Sequence, residues 1–369
     1  MEFDFSVCWC ALNRIFSFRC KAGLQLIRAC GGVKEVFEKS ASELREMMPS
    51  GEEFINEITR PGTLEQAFRE VSWASGHGIK LIDYDDAAYP SRLRECPDAP
   101  LMLYFRGNAD LNASRVLAVV GTRKTTYSGQ SSCRRILEHL SHLNPKPLIV
   151  SGLALGIDGC AHRAALEYGL PTVGVMPTGM DDVYPKAHSA LAREIIEKGA
   201  VITDFPRATP PLRHTFLRRN RIVAGMSDAT LLVESYIPGG GLITASLASS
   251  YGREVFAVPG RMSDASFAGC NKLISENVAA IVDRVDTIGR AMRWEGRMKS
   301  TGGDCTLFDG TDSELRRSVL RVISECSPVT AEGIINRTGA GPAAVSAELL
   351  ELEIDGRVYS ERHFYYLCE

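Results

Sequence analysis

The sequence predicts an α/β protein: an extended Rossmann-like, doubly wound and mostly parallel sheet, flanked by an N-terminal helical domain and a C-terminal winged helix. Three observations carry this. Seven short β-branched runs alternate with helical runs from Arg115 to about Arg290, apolar residues recur at helical spacing before Gly76, and a helix–helix–helix–hairpin pattern follows Ser313. Parallel neighbours need crossover connections, and apolar strands need covering on both faces, so alternation of this kind implies a sheet wrapped by helices. At roughly 100–200 residues per domain, a chain of 369 residues suggests two or three domains.

In chain order, residues 1–76 form the helical domain. Periodic apolar positions such as Leu24, Ile27 and Phe37, and a helix start at S-A-S-E-L, define it from about Leu12. Short extended runs follow in I-K-L-I-D-Y, A-Y-P and P-L-M-L-Y-F-R-G, separated by turns and ending at Gly107. The main domain, 77–290, continues through V-L-A-V-V, P-L-I-V-S, P-T-V-G-V-M, A-V-I-T-D, A-T-L-L-V-E, E-V-F-A-V-P and A-A-I-V-D. Residues 291–312 are polar and read as a linker, and 313–369 as the winged helix.

Composition narrows the classes. The formal net charge is −3, with 24% charged and 45% hydrophobic residues, which excludes a uniformly basic nucleic-acid coat but leaves room for a local basic stripe. The longest stretch without a charged residue, Ser235 to Gly252, is broken by Pro238 and three glycines, so no membrane span is expected. The start carries acids where a secretory leader carries Lys or Arg. Eleven cysteines without a CxxC pair fit neither a disulfide framework nor a zinc ribbon. A cytoplasmic protein with no metal and no cofactor is the expectation.

Ligands of open α/β sheets sit beyond the carboxyl ends of the strands, and there the sequence is rich in glycine, small hydroxyls and isolated cations. G-T-R-K-T-T follows the first strand of the alternating series, S-G-L-A-L-G-I-D the second, P-T-G-M-D-D-V-Y-P-K the third, E-S-Y-I-P-G-G-G the fifth and P-G-R the sixth. Such turns let backbone amides at helix starts approach an oxyanion, although glycines also follow strands in many α/β folds. Arg123 is placed to fork onto a phosphate, and Lys186, before a helix at 187–198, to add a point charge; each could equally be a solvated surface cation. Between Asp204 and Asp228 the chain holds five Arg and no acid. If the run from Thr215 is helical, Arg218 and Arg221 share a face, and Phe216 stands one turn before Asn220, where it can stack on a base. The rivals are an internal salt-bridge network for the arginines and a core role for Phe216. Asp158 and His162, at i and i+4, read as a capping and hydrogen-bonding pair rather than acid/base catalysts or metal ligands.

The ordered set V-V-G-T-R-K-T, S-G-L-A-L-G-I-D-G-C-A-H, V-Y-P-K-A-H, F-L-R-R-N-R-I-V-A-G-M-S, G-G-L-I-T-A and R-E-V-F-A-V-P-G resembles the DNA processing protein A (DprA/Smf) family, from about Gly78 to Val282. The resemblance implies a sterile-alpha-motif-like helical domain before the Rossmann domain. It also implies a non-catalytic protein that binds and protects incoming single-stranded DNA and loads a RecA-type recombinase in natural transformation, as a homodimer. It places phosphate contacts at Gly121, Thr122 and Arg123, with Lys186 as the cation of a Y-P-basic turn. Arg219, Asn220 and Arg221 match R-N-R, Gly240 and Gly241 open a G-S-L turn, and Asn271 and Lys272 match a G-x-N-basic element. Phe216 and Arg218 join this DNA-binding set from the residue reading.

Three departures qualify the resemblance. Gly241 replaces the usual Ser, removing one possible hydroxyl contact. I-F-S-F stands where relatives carry a glycine-rich hairpin, so the N-terminal domain is expected to contact protein rather than phosphate. Helix 342–355 carries Glu348, Glu351, Glu353 and Asp355 without Lys or Arg, so the winged helix is not expected to read duplex sequence. A rival enzyme reading, a Rossmann-type nucleoside-monophosphate phosphoribohydrolase, begins well at Pro238. It fails where Leu242 and Ile243 replace Gly and Thr and Ser246 stands in place of the required Glu.

Overall fold

The computed structural model describes residues 4–294, 314–355, 357–361 and 363–367. Its contacts divide the chain into two units, Met1–Glu295 and Gly296–Glu369. In the first, nine strands form one sheet: β1 (Lys80–Asp83), β2 (Met102–Gly107), β3 (Val116–Val120), β4 (Leu148–Ser151), β5 (Thr172–Val175), β6 (Ala200–Thr203), β7 (Ala229–Leu232), β8 (Glu254–Ala257) and β9 (Ala280–Ile281). The order is β1-β2-β6-β5-β4-β3-β7-β8-β9. β6 through β9 run parallel in the register Leu117↔Ile149 and Leu117↔Ala229, while β1 and β2 add on antiparallel. β3 and β4 are buried at every position because helices cover both faces, which is why these runs are almost wholly apolar. The chain leaves β3 toward β4 on one side and returns to β7 on the other, so the β3/β7 boundary is the topological switch point.

The alternating runs all become strands, whereas A-Y-P does not: Tyr89 is buried in a turn and the short helix Ser91–Arg94 follows. Helix begins earlier than the expected Leu12, at Phe5, where the Asp4 carboxylate caps the Phe5 amide at 2.7 Å. The start at S-A-S-E-L is as read: Ser40 and Glu43 close a reciprocal capping box. Six helices reach Gly76, and their core residues Trp9, Leu12 and Phe16 pack in one cluster with Leu101, Met102 and Tyr104 around β2. Each such large apolar side chain contributes about 1.5–3 kcal/mol on burial. The border expected after residue 76 is therefore no boundary between compact units, because one face of β2 is the floor of the helical region. The residues assigned to a linker from 291 begin with chain that is still packed: helix Thr287–Ala291 is followed by Trp294, buried against the sheet core. The rest of that stretch, apart from 291–294, lies outside the described residues.

In the second unit, helices Glu314–Cys326, Ala331–Thr338 and Pro342–Ile354 pack on an antiparallel sheet of β10 (Val329–Thr330), β12 (Phe364–Leu367) and β11 (Val358–Glu361), in that order. This is a winged helix, with Val319, Ile323, Ile334, Val345, Leu349 and Val358 in its core. The acids of its third helix have an internal explanation. Arg316 donates to Glu348 at 2.5 Å and Glu351 at 2.9 Å and stands 3.4 Å from Asp355.

One charged cluster ties the first unit together. At the end of β6, Asp204 Oδ2 accepts from Arg218 Nε at 2.9 Å and from Arg221 Nη2 at 2.6 Å. Arg218 also donates to the Ser17 hydroxyl and, at 2.8 Å, to the Ser17 carbonyl, and its guanidinium lies 4.4 Å from the Phe18 ring centre and 4.8 Å from that of Phe205. Asn13 Nδ2 completes the seam on the Asp204 carbonyl at 3.0 Å. With side-chain exposures of 0% for Asp204, 4% for Arg218 and 7% for Arg221, removing the shared carboxylate strands two cations away from water. Asp204→Ala should therefore lower the unfolding free energy by about 3–5 kcal/mol in a urea titration. A loss below about 1 kcal/mol would mean that water reaches the cluster.

Candidate functional site

The turns after β3 and β7 and the helix Arg213–Gly225 enclose a cleft of about 770 Å³ at the switch point. Its floor is built by close backbone approach. A Cβ at Gly241 would lie 3.2 Å from Gly121 Cα and 2.7 Å from Leu232 Cδ1, so the two turns meet glycine to glycine. The sequence reading of Gly241 as a lost hydroxyl contact is thus incomplete: the position is packed against strand and turn. Helix Gly240–Ser250 begins here with Gly239 as N-cap and no side chain capping it, so its first amides and the positive end of its dipole open on the cleft.

Arg219 supplies the deepest charge. Its Nη1 donates to the carbonyls of Gly152 and Val175, the latter at 2.6 Å, and its Nε to Asn220 Oδ1 at 3.2 Å. It thereby caps the carboxyl ends of β4 and β5, and Nη2 has no hydrogen-bond partner among the described residues. Glycine at 152 is what leaves room for the guanidinium in this position, since a Cβ would fall 1.9 Å from Nη1 and displace it. Burial pulls the guanidinium down to about 10, opposed by Asp158 and reinforced by Arg123, so it remains cationic at neutral pH. Arg123 is exposed, lies 4.9 Å over the Phe216 ring, and has no carboxylate within ion-pair distance among the described residues. Phe216 in turn meets Tyr184 edge-on at 5.5 Å. Thr122, Asn220, Gly240 and Lys272 line the same cleft; Lys272 is half exposed, with Glu276 at 3.9 Å.

Four expected contacts fall elsewhere. Arg218 and Arg221 do share a helix face, but it is the face turned to Asp204, so the internal salt-bridge reading holds for both. Burial opposes the Arg221 charge, yet Asp204 carries the net shift upward. Asn271 spends both ends of its amide on the Gly260 backbone, at 3.0 and 3.1 Å, and fixes that loop rather than lining the cleft. Lys186 is exposed and pairs with Asp182 outside the cleft wall. The helix expected from 187 starts at Ser189, after a single tight turn at Lys186–His188.

The sequence reading missed several residues that build the site. Arg213, one of the five counted arginines, lines the cleft, as do the half-exposed Leu217, Ile237 and Ile243, which form an apolar rim. Glu234 is fully buried and organises the 121–126 turn: its carboxylate accepts from Thr125 Oγ1 at 2.7 Å and the Thr126 amide at 2.9 Å, and its carbonyl accepts from the Thr122 amide at 2.7 Å. Only its place directly after a buried strand hinted at this.

Asp158 and His162 do not bond to one another. Asp158, in the cleft wall, accepts from the Ala154 amide at 3.3 Å and is raised by burial. Thr172 gives its proton to the Ile149 carbonyl, so His162 Nδ1 donates to Thr172 Oγ1 at 2.8 Å. No cluster of metal-ligating side chains occurs among the described residues, and no described helix is long and apolar enough to cross a membrane.

Fold and cleft together define a Rossmann-like sheet whose switch point carries a glycine-floored, cationic cleft, in a chain that also holds a winged-helix module. Comparison with known proteins assigns that architecture to a family. The family model for DNA recombination-mediator protein A matches residues 80–293, and that for the DprA winged helix domain matches 309–361. The putative DNA processing protein DprA of Mycobacterium tuberculosis is 32% identical over 364 residues, covering 94% of this chain and 90% of that one. The X-ray structure of DNA processing protein A from Streptococcus pneumoniae superposes with a TM-score of 0.65 at 29% identity, over 78% of this chain and 98% of that one. A structure of the Helicobacter pylori protein, described for its single-stranded DNA binding mode, shares the fold with a TM-score of 0.53 at 24% identity, over 59% of this chain and 96% of that one. The chain belongs to the DprA/Smf family of DNA recombination-mediator proteins.

The buried imidazole gives a pH test of this interior. Burial, with His188 and Arg219 nearby, lowers His162 to about 3 from an ordinary 6.5. The unfolded chain takes up a proton below pH 6.5 that the folded chain refuses, so this contribution is complete above 6.5 and is lost as pH falls toward about 3. Between pH 6 and 5, His162→Gln should remove about 1 kcal/mol per pH unit from the fall in denaturant-measured stability. An unchanged slope would place a charged imidazole in the fold.

Proposed function

We propose that the cleft binds the backbone of single-stranded DNA and that the protein acts as a non-catalytic recombination mediator, delivering the bound strand to a RecA-type recombinase. The observation that carries the reading is the pairing of a cation held without a carboxylate partner, Arg123 on Phe216, with the buried Arg219 beneath it and an uncapped helix N-terminus beside it. Three sources of positive potential converge on a glycine floor, which suits phosphate oxygens rather than a neutral ligand. Phe216 and the apolar rim of Leu217, Ile237 and Ile243 offer bases a surface without hydrogen-bond readout, which favours an unpaired strand. Gly121, Thr122 and Gly240 bring backbone close to phosphate, while Arg218, Arg221 and Asn271 support the cleft from behind. Family membership and the description of the Helicobacter pylori structure support the same ligand class. Homodimerisation, aligning two clefts on one strand, belongs to this reading. The winged helix, whose third helix is acidic and engaged with Arg316, is assigned no duplex readout.

Titration with single-stranded oligonucleotides tests it. With three or four phosphates neutralised, log K against log salt should fall with a slope of about −2 to −3. Arg123→Ala should weaken binding by about 1–3 kcal/mol, whereas Glu351→Ala leaves it unchanged. Affinity independent of salt, or duplex bound as tightly as single strand, would sink the proposal.

A further inference from the structure

Two thiols meet behind the cleft. Cys133 lies on the helix Tyr127–Leu140, which follows the G-T-R-K-T-T turn, and Cys160 on the helix Ile157–Glu167, which follows the S-G-L-A-L-G turn. The helices pack side by side, and Cys160 Sγ lies 3.8 Å from the carbonyl of Gln130, one turn before Cys133 on the facing helix, so the two thiols are neighbours. Cys133 is fully buried, while Cys160 is partly exposed. Such a pair matches the arrangement of an accessible attacking thiol beside a resolving one.

We infer that Cys160 and Cys133 form a peroxide-sensitive dithiol whose oxidation to a disulfide disturbs the Gly121–Arg123 turn. The Cys160 thiolate attacks the peroxide oxygen, releasing hydroxide and leaving a sulfenic acid; the Cys133 thiol then displaces that oxygen. The Cys133 proton and the hydroxyl group depart as water. Two thiols and one hydrogen peroxide thus give one disulfide and two waters, with the two electrons passing from sulfur to peroxide.

The surroundings distinguish Cys160 from other thiols. The neighbouring Cys133 thiol, and the Arg134 and Arg163 guanidiniums, hold its thiol below the ordinary range, whereas burial pushes Cys8, Cys10, Cys20, Cys96 and Cys270 up and leaves them poor nucleophiles. The route to the cleft is short. One turn before Cys160, the Ile157 amide donates to the Thr122 carbonyl at 3.1 Å, and Gly156 rests on Thr122 and Arg123. A disulfide holds its sulfurs at about 2.05 Å, closer than two unbonded thiols can stand, so bond formation pulls the start of this helix against the turn that carries Arg123.

The coupling rests on the single-strand reading above; the linkage does not. Reduced full-length protein is treated with hydrogen peroxide, digested without reductant for peptide mapping, and assayed with a fluorescent oligothymidylate. The expected result is a Cys133–Cys160 peptide and a loss of at least about threefold in affinity, both reversed by dithiothreitol. Cys160→Ser and Cys133→Ala should each bind as the reduced protein does and stay insensitive to peroxide. No such peptide, linkage of Cys160 to Cys305 or Cys368 instead, or a disulfide that leaves affinity unchanged overturns the inference. Reduced protein that binds no oligonucleotide overturns the functional reading and the coupling with it, while the peptide map still decides the linkage.

Discussion

The buried carboxylate of Asp204 is the constraint on which the rest of the first unit depends. It ends β6, receives Arg218 and Arg221 from one helix, and through its carbonyl receives Asn13 from another. Ion pairs in the interior recover at most part of their desolvation cost, so this cluster is better understood as fixing a geometry than as supplying net stability. What it fixes is the rotation of the Arg213–Gly225 helix. With Arg218 and Arg221 drawn inward to Asp204, the intervening Arg219 and Asn220 and the earlier Arg213 and Phe216 are left facing the cleft.

The same helix therefore has two chemistries on two faces. On one, cations meet a carboxylate and are neutralised. On the other, the hydrogen bonds of Arg219 go to carbonyl oxygens and an amide, at the ends of β4 and β5, with the Asp158 carboxylate acting on it from the cleft wall without an ion-pair contact. Carbonyl dipoles hold a guanidinium in place without cancelling its charge, so its field extends into the cleft. The room that glycine leaves at 152 admits this contact, and the glycine-to-glycine meeting of 121 with 241 brings the uncapped helix start to the same cleft. Glu234 then holds the 121–126 turn from below through neutral donors, leaving Arg123 unpaired.

The winged helix offers a parallel case. Its acidic third helix reads as hostile to DNA, and the structure supplies the reason for several of those acids: they surround Arg316 of the first helix. A charge counted along a sequence carries no information about its partner, and here the partner lies about thirty residues away on another element.

The sequence by itself determined the sheet, its strand runs, the rim on which glycine, hydroxyls and cations gather, and the winged helix. Each rests on periodicity or on turn chemistry that is local in the chain, and local interactions survive in any context. It also determined that glycine, hydroxyl and arginine would meet at the β3 and β7 turns, because strands of a doubly wound sheet deliver their following loops to one edge. Only the tertiary structure decided which arginines are neutralised, since Arg218, Arg219 and Arg221 look alike until Asp204, fourteen to seventeen residues distant, is placed beside two of them. It likewise decided that residues 1–76 share a core with β2, that Asn271 serves the Gly260 loop, and that Cys160 lies against the helix that carries Cys133. All of these depend on side-chain partners brought together across elements, and that proximity is settled by packing rather than by spacing along the chain.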